Sequence, residues 1–268
     1  MGLMARGEGE VKDWTQRHWL GPGLRRLGTL VLDQLYPPVC AGCRAPLEHS
    51  DALCGACFAQ LRPITEPLCP VLGLPFDSDQ GDGALSAEAI ADPPPFDRAR
   101  AALSYGEMVG TLVSQLKYGD RPELARLCAR LMAGAGRDLL AADTVLVPVP
   151  LHPQRLRFRR YNQSFLLAQE LARMTGLRID PHLVQRHRQT RQQVGLSGDA
   201  RTRNVQGAFV AHRDLLRRLG GRPIVIIDDV YTTGATVKAV TRALKRGGAE
   251  RIDVLSFARV VIGADLPI

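Results

Sequence analysis

The sequence predicts an α/β protein, a doubly wound parallel sheet preceded by a small cysteine-rich module. Two observations carry that expectation. From Arg98 onward, β-branched apolar runs alternate with segments of helical period, the pattern that builds parallel sheets. Before Arg98, two C-x-x-C pairs stand in a segment too poor in apolar residues to form a core of its own. A chain of 268 residues has room for one sizeable core and one minor module.

Read in order, residues 1–27 form an N-terminal extension, in which Met1–Gly23 shows no periodicity and is expected to fray. Leu24, Leu27, Leu30, Val31 and Leu35 share one helix face before Pro37-Pro38 stops it. Residues 28–75 comprise this helix and the cysteine module, with no repeat visible beyond the doubled C-x-x-C. Residues 76–97 hold six acids, no Lys or Arg, and Pro93-Pro94-Pro95, which reads as an acidic linker. The main domain follows over 98–262. Strands are expected at Ala99–Tyr105, Thr144–Val149, Pro223–Asp228 and Arg251–Phe257. Helices are expected at Met108–Leu116, Glu123–Leu140, Ser164–Thr175 and Val237–Arg246, the last closed by Gly247-Gly248. Ile224, Val225, Ile226 and Ile227 are four consecutive β-branched residues, as in the middle of a sheet covered on both faces.

Cys40-x₂-Cys43 and Cys54-x₂-Cys57 are separated by ten residues. Two such knuckles offer four thiolates, which suit a tetrahedral Zn²⁺, and the ion supplies folding energy that the short polar segment lacks. Redox-active C-x-x-C is the competing reading, but no thioredoxin-like βαβ unit surrounds these residues. Cys69-Pro70-Val71-Leu72 has a cysteine at the first position of such a spacing and leucine at the last. Cys69 and Cys128 are expected to be buried thiols.

The chemistry of the main domain concentrates after Ile227. Asp228-Asp229 lies where the apolar strand runs out, and Thr232-Thr233-Gly234-Ala235-Thr236 precedes a helix. Ligands of open α/β sheets bind beyond the carboxyl ends of strands. A tight turn of amides and hydroxyls at a helix N-terminus holds phosphate, and adjacent carboxylates accept hydrogen bonds from a sugar diol. A sugar 5-phosphate fits these parts. A phosphoacceptor aspartate would also use a strand end, but leaves the threonine-rich turn unexplained, and plain helix capping leaves the paired acids unexplained.

Val225–Thr236 resembles the phosphoribosyl diphosphate (PRPP) signature of type I phosphoribosyltransferases. The chain from about residue 30 to 260 resembles the ComF (ComFC) family of competence-associated proteins, which join an N-terminal zinc ribbon to a domain of that fold. The resemblance rests on Cys40–Cys57, Tyr105-Gly106, Leu116-Lys117-Tyr118-Gly119-Asp120, Val147–His152, Arg160-Tyr161-Asn162-Gln163, Thr190–Gln193 and Arg201–Phe209. Arg160 stands where the family usually has glycine. The resemblance implies that Asp228 and Asp229 hold the ribose hydroxyls and act through binding and electrostatics in any catalysis. It places the 5-phosphate on Thr232, Thr233, Gly234, Ala235 and Thr236, and the pyrophosphate on the loop after Pro150. The residues of that loop agree: Arg155, Arg157, Arg159 and Arg160 suit a diphosphate with Mg²⁺ bridging its oxygens, and Val230 and Lys117 are further expected PRPP-binding residues. The stretch Arg186–Arg203 resembles a mobile lid.

Charge distribution widens the choice of partner. The net charge is +8, and His152–Gln163 and Arg186–Arg203 each contribute +4. Such confinement points to a polyanion, single-stranded DNA as well as PRPP; alternatively the surplus arginines pair with the acidic linker. Aromatic residues are 5% of the chain, so no broad base-stacking platform is evident, nor is a base pocket for nucleotide salvage. No apolar run approaches the ~20 residues that span a bilayer, and Met1–Lys12 lacks a secretory core. A cytoplasmic protein without membrane insertion is expected. It serves DNA uptake or single-strand handling with competence-machinery partners, as a transferase or as a catalytically silent PRPP sensor. Metal analysis of the purified protein should find about one zinc per chain, lost when Cys40 and Cys43 are replaced by serine.

Overall fold

The computed structural model describes residues 38–48, 52–188 and 203–261. The helix expected at 24–35 and the N-terminal extension lie outside the described residues. The elements are α1 (Gly55–Phe58), α2 (Ala87–Ala91), β1 (Ala99–Ser104), α3 (Glu107–Tyr118), α4 (Leu124–Ala135), β2 (Val145–Pro148), α5 (Pro153–Arg159) and α6 (Gln163–Thr175). They continue with β3 (Arg178–Ile179), β4 (Val184–Arg186), β5 (Phe209–Ala211), α7 (Arg213–Leu219), β6 (Ile224–Tyr231), α8 (Ala235–Gly247) and β7 (Ile252–Arg259).

Five strands form one parallel sheet in the order β1-β7-β6-β2-β3. The chain leaves β2 toward one edge and β6 toward the other, so a crevice opens between their carboxyl ends. Strand residues alternate between two cores. Val145, Val147, Ile224, Ile226, Ile252 and Val254 face α8. Leu146, Val225, Ile227, Leu255 and Phe257 face the layer of α3, α4 and α6. Residues 224–227 are almost completely buried, because helices cover both faces of the sheet. A short antiparallel pair, β4-β5, forms a separate hood. No helix among the described residues is long and apolar enough to cross a membrane.

The cysteine module straddles the β1 edge. Residues 62–64 run antiparallel beside β1: Ile64 N–H donates to Ala102 O at 3.0 Å and Ser104 N–H to Arg62 O at 2.8 Å. An edge that would otherwise be free to pair with another chain is thereby covered. Ala41 and Leu61 join the α3 side of the core, whereas Cys69, Leu72, Ala89 and Phe96 join the α8 side.

Several expected boundaries shift for identifiable reasons. The segment expected as a linker is packed against the sheet: α2 forms within it, and Ala89 and Phe96 are buried. Three of its six acids are engaged, with Asp92 at 2.7 Å from Lys238, Glu88 at 3.4 Å from Arg259 and Asp97 at 3.8 Å from Lys245. Helix α4 stops at Ala135, before Gly136. The loop expected after Pro150 is helical over Pro153–Arg159, with His152 Nδ1 accepting from Gln154 N–H at the start and Pro153 in the first turn. Strand β6 runs three residues past Asp228, because β7 continues to pair with it as far as Tyr231↔Arg259. Truncating the central strand tests the two-sided core: Ile226→Ala should cost about 2–5 kcal/mol in a denaturant titration.

Candidate functional site

Strand β2 ends its pairing with β6 at Pro148↔Ile227. Asp228 and Asp229 therefore project from a strand whose neighbour has already turned away, and they sit in the crevice. Around them lies a cavity of about 730 Å³, within the range of small-ligand sites. All nine expected residues of β6, the following turn and α3 line it: Lys117, Asp228, Asp229, Val230, Thr232, Thr233, Gly234, Ala235 and Thr236 belong to its wall. Of the four expected arginines, Arg155 and Arg159 line it; Arg157 and Arg160 lie outside the lining.

The two acids have different surroundings. Asp229 pairs with Lys117 Nζ at 2.8 Å. Burial works against the Lys117 charge, but Asp229 and then Asp228 outweigh it and hold the ammonium above its ordinary range. Asp228 Oδ1 accepts from its neighbour's N–H at 3.0 Å and from Ser164 Oγ at 3.2 Å. Burial, reinforced by Asp229, pushes the Asp228 carboxyl up to about 7 against the pull of Lys117 and these donors.

The turn after β6 has the geometry of an anion cradle. Gly234 caps α8 at φ +70°, a conformation costly for side-chain-bearing residues. A Cβ there would lie 2.3 Å from the Tyr231 hydroxyl, so the turn is packed tightly from beneath. Thr233 Oγ1 is buried and has no hydrogen-bond partner among the described residues, and the α8 N-terminus adds its dipole. These groups fit a phosphate.

Across the cavity, α5 is held by its cations. Arg159 donates to Gln163 Oε1 at 3.1 Å and Tyr118 Oη at 2.8 Å, with its guanidinium 4.7 Å from the Tyr118 ring centre. Arg160 adopts φ +65° and pairs with Asp120, itself at φ +51°, at 2.8 Å. Arg160 thus takes a left-handed conformation that glycine adopts most readily, and the ion pair steadies it. Burial and the nearby Arg159 lower the Arg155 guanidinium from its ordinary value, which marks a place where an anion is welcome.

Sequence reading missed Arg186, Ser164, Gln163, Tyr118, Glu88 and Asp92 as cavity residues. Arg186, in the hood, lies 5.3 Å over the Phe209 ring. Burial and Arg155 draw it down to about 10. Its position at the start of a basic stretch was a usable signal, as was the motif that ends in Gln163; for Ser164, brought in by the α6 N-terminus, there was none. Of the stretch expected as a lid, residues 189–202 lie outside the described residues.

In the module, the Sγ atoms of Cys40, Cys43, Cys54 and Cys57 all lie within 4.8 Å of one another, and four thiolates so placed fit Zn²⁺. Gly42 N–H and Cys54 N–H each reach Cys40 Sγ at 3.3 Å. Burial opposes ionisation of Cys40, but N–H donors led by that of Cys54 outweigh it and draw the thiol down to about 6. Cys69 and Cys128 are fully buried, and burial pushes Cys128 up to about 12.

The raised Asp228 predicts a pH signature. With a folded value near 7 above the unfolded one, the native state binds the extra proton, so stability falls as pH rises between them. Asp228→Asn keeps an acceptor for Ser164 and cannot ionise. It should leave melting temperature unchanged near pH 4, raise it increasingly up to about pH 7 and by a constant amount above that, read by calorimetry across pH.

Known proteins resemble this chain in both of its parts. The chain matches a double zinc ribbon domain over residues 31–89 and a phosphoribosyl transferase domain over residues 162–264. It is 36% identical over 233 residues to the DNA utilization protein YhgH of Salmonella typhi, covering 84% of this chain and 98% of that protein. It is 30% identical over 228 residues to Competence protein F of Haemophilus influenzae, covering 82% and 96%. To Competence protein ComFC of Bacillus subtilis it is 25% identical over 248 residues, covering 89% and 98%. With a zinc ribbon before a parallel phosphoribosyltransferase-like sheet, and likeness to these proteins along nearly their whole length, the chain belongs to the ComF family.

Proposed function

We propose that the cavity binds PRPP and that the protein serves DNA uptake or the handling of single-stranded DNA. One observation carries the first part: paired carboxylates stand beside a left-handed glycine turn at the switch-point crevice. Asp228 and Asp229 accept from the ribose hydroxyls, the Thr232–Thr236 turn takes the 5-phosphate, and Arg155, Arg159 and Lys117 face the diphosphate. Mg²⁺ bound to the diphosphate would supply further charge neutralisation. The second part is supported by relatives named for DNA utilization and competence.

The same groups suit transfer chemistry. An acceptor's lone pair forms a bond to the anomeric carbon while the bond to pyrophosphate breaks and its electrons leave with that group. The cations stabilise the departing charge, and the aspartates hold the ribose as positive charge develops on it. Detection of pyrophosphate release over bases, nucleotides and single-stranded DNA separates a transferase from a silent sensor.

Charged hydrogen bonds contribute roughly 1.5–3 kcal/mol each. Asp228→Asn with Asp229→Asn should therefore weaken PRPP binding at least about tenfold in titration calorimetry while the protein stays folded. Unchanged affinity would refute the assignment.

The arginines that lie outside the cavity lining favour a DNA contact. Arg157 is on α5, beside an exposed Phe158. Arg157→Ala should leave PRPP affinity intact and flatten the dependence of log K on log salt for single-stranded DNA by roughly 0.7. It should do so equally for all sequences. Arg155→Ala should instead weaken PRPP binding. Absence of DNA binding at low salt would remove the DNA role and leave the PRPP site standing.

A further inference from the structure

The second half of the cysteine module repeats the fold of the first. In the first knuckle, Cys40 N–H donates to Ala45 O at 2.8 Å, Arg44 N–H to Cys40 O at 3.0 Å and Leu47 N–H to Pro38 O at 2.8 Å. The same three bonds recur 29 positions later: Cys69 N–H to Leu74 O at 2.8 Å, Gly73 N–H to Cys69 O at 2.8 Å and Phe76 N–H to Pro67 O at 2.9 Å. The Val39↔Pro46 bridge is matched by Leu68↔Pro75, and the left-handed residue at φ +64°, Arg44, is matched by Gly73 at +61°.

The second pair of ligand positions is matched as well. Cys54 caps α1 and Cys57 is its third residue, buried; Ser86 caps α2 and Ala89 is its third residue, also buried. Cys54 N–H points at Cys40 Sγ from 3.3 Å. Ser86 N–H and Ser86 Oγ each lie 3.4 Å from Cys69 Sγ. The four zinc-ligand positions of the first ribbon thus correspond to Cys69, Leu72, Ser86 and Ala89, of which one is a thiol.

We propose that residues 67–91 are a second ribbon that folds without metal, the packing of Leu72 and Ala89 standing in for the ion. Both are nearly fully buried, in the same core as Phe96 and Ala99. This explains how a segment matching half of a double zinc ribbon closes with a single thiol, because apolar burial supplies the folding energy that metal supplies next door.

Its position gives this ribbon a task. The Leu72 carbonyl accepts a hydrogen bond from Arg259, and Glu88 on α2 stands 3.4 Å from the same guanidinium. Arg259 lies 4.4 Å from the centre of the Tyr231 ring, whose hydroxyl is packed under Gly234. Asp92, which caps the end of α2, pairs with Lys238 in the first turns of α8 at 2.7 Å. The metal-free ribbon therefore braces the turn assigned to phosphate, and that brace does not depend on zinc supply.

The test rebuilds the missing ligands. Leu72→Cys with Ser86→Cys and Ala89→Cys should raise zinc from about one to about two per chain. Cys69→Ala in the parent should leave it at about one. A folded triple variant that still binds one zinc, or loss of zinc from Cys69→Ala, overturns the proposal. Should the triple variant fail to fold, Leu72→Ala decides. Its melting temperature should drop by roughly 5–15 °C, equally with and without chelator. An unchanged melting temperature, or a drop abolished by chelator, overturns the proposal.

Discussion

Two neighbouring carboxylates at the carboxyl edge of a buried parallel sheet are the constraint around which this structure is arranged. Alternation along a strand points Asp228 and Asp229 to opposite sides, and each needs its own compensation. Lys117 reaches over from α3 to Asp229 at 2.8 Å. Ser164, at the start of α6, and the Asp229 amide serve Asp228. Even so, burial leaves Asp228 reluctant to ionise. Such a pair is expensive for a fold and useful to a ligand, since a sugar diol can satisfy both acids at once. The placements of α3, α5 and α6 follow, because each brings cations or donors to this one crevice.

The opposite wall is built differently. Beneath the phosphate turn lies a stack of buried groups: Tyr231 under Gly234, Arg259 against Tyr231, and Phe96 edge-on to Tyr231 at 6.3 Å. Arg259 is almost wholly buried. Burial lowers its guanidinium from the usual value even with Tyr231 and Glu88 beside it. A buried cation needs partners, and the chain takes them from the cysteine module and from α2, which are distant in sequence. The module is thus joined to the site by a charge that would be costly to leave uncompensated.

Cations divide by location between two chemistries. Arg155, Arg159 and Arg186 converge on the cavity, where their mutual repulsion favours an anion. Arg157 and Arg160 stay outside, Arg160 paired with Asp120 at the surface. One basic segment can therefore serve a small phosphorylated ligand on its inner side and a nucleic-acid backbone on its outer side.

The sequence by itself determined the sheet and the pocket's main wall. Period-two and helical patterns depend only on which residues must leave water, so Ile224–Ile227 and the helix after Gly234 were legible. The acids, the threonine-rich turn and the paired C-x-x-C are contiguous, so their chemistry could be read without knowing the fold. What only the tertiary structure decided were relations between distant segments. Nothing local marks Ser164 or Glu88 as lining the same cavity as Asp228, because the folding of distant segments, not spacing, brings them there. Residues 76–97 looked like a tether because composition shows their charge but not that Lys238, Lys245 and Arg259 await it. The second ribbon was legible only at Cys69, for a related reason: the rest of its repeat lies in backbone hydrogen bonds and left-handed turns, which Leu72, Ser86 and Ala89 form as readily as cysteines once packing replaces the ion.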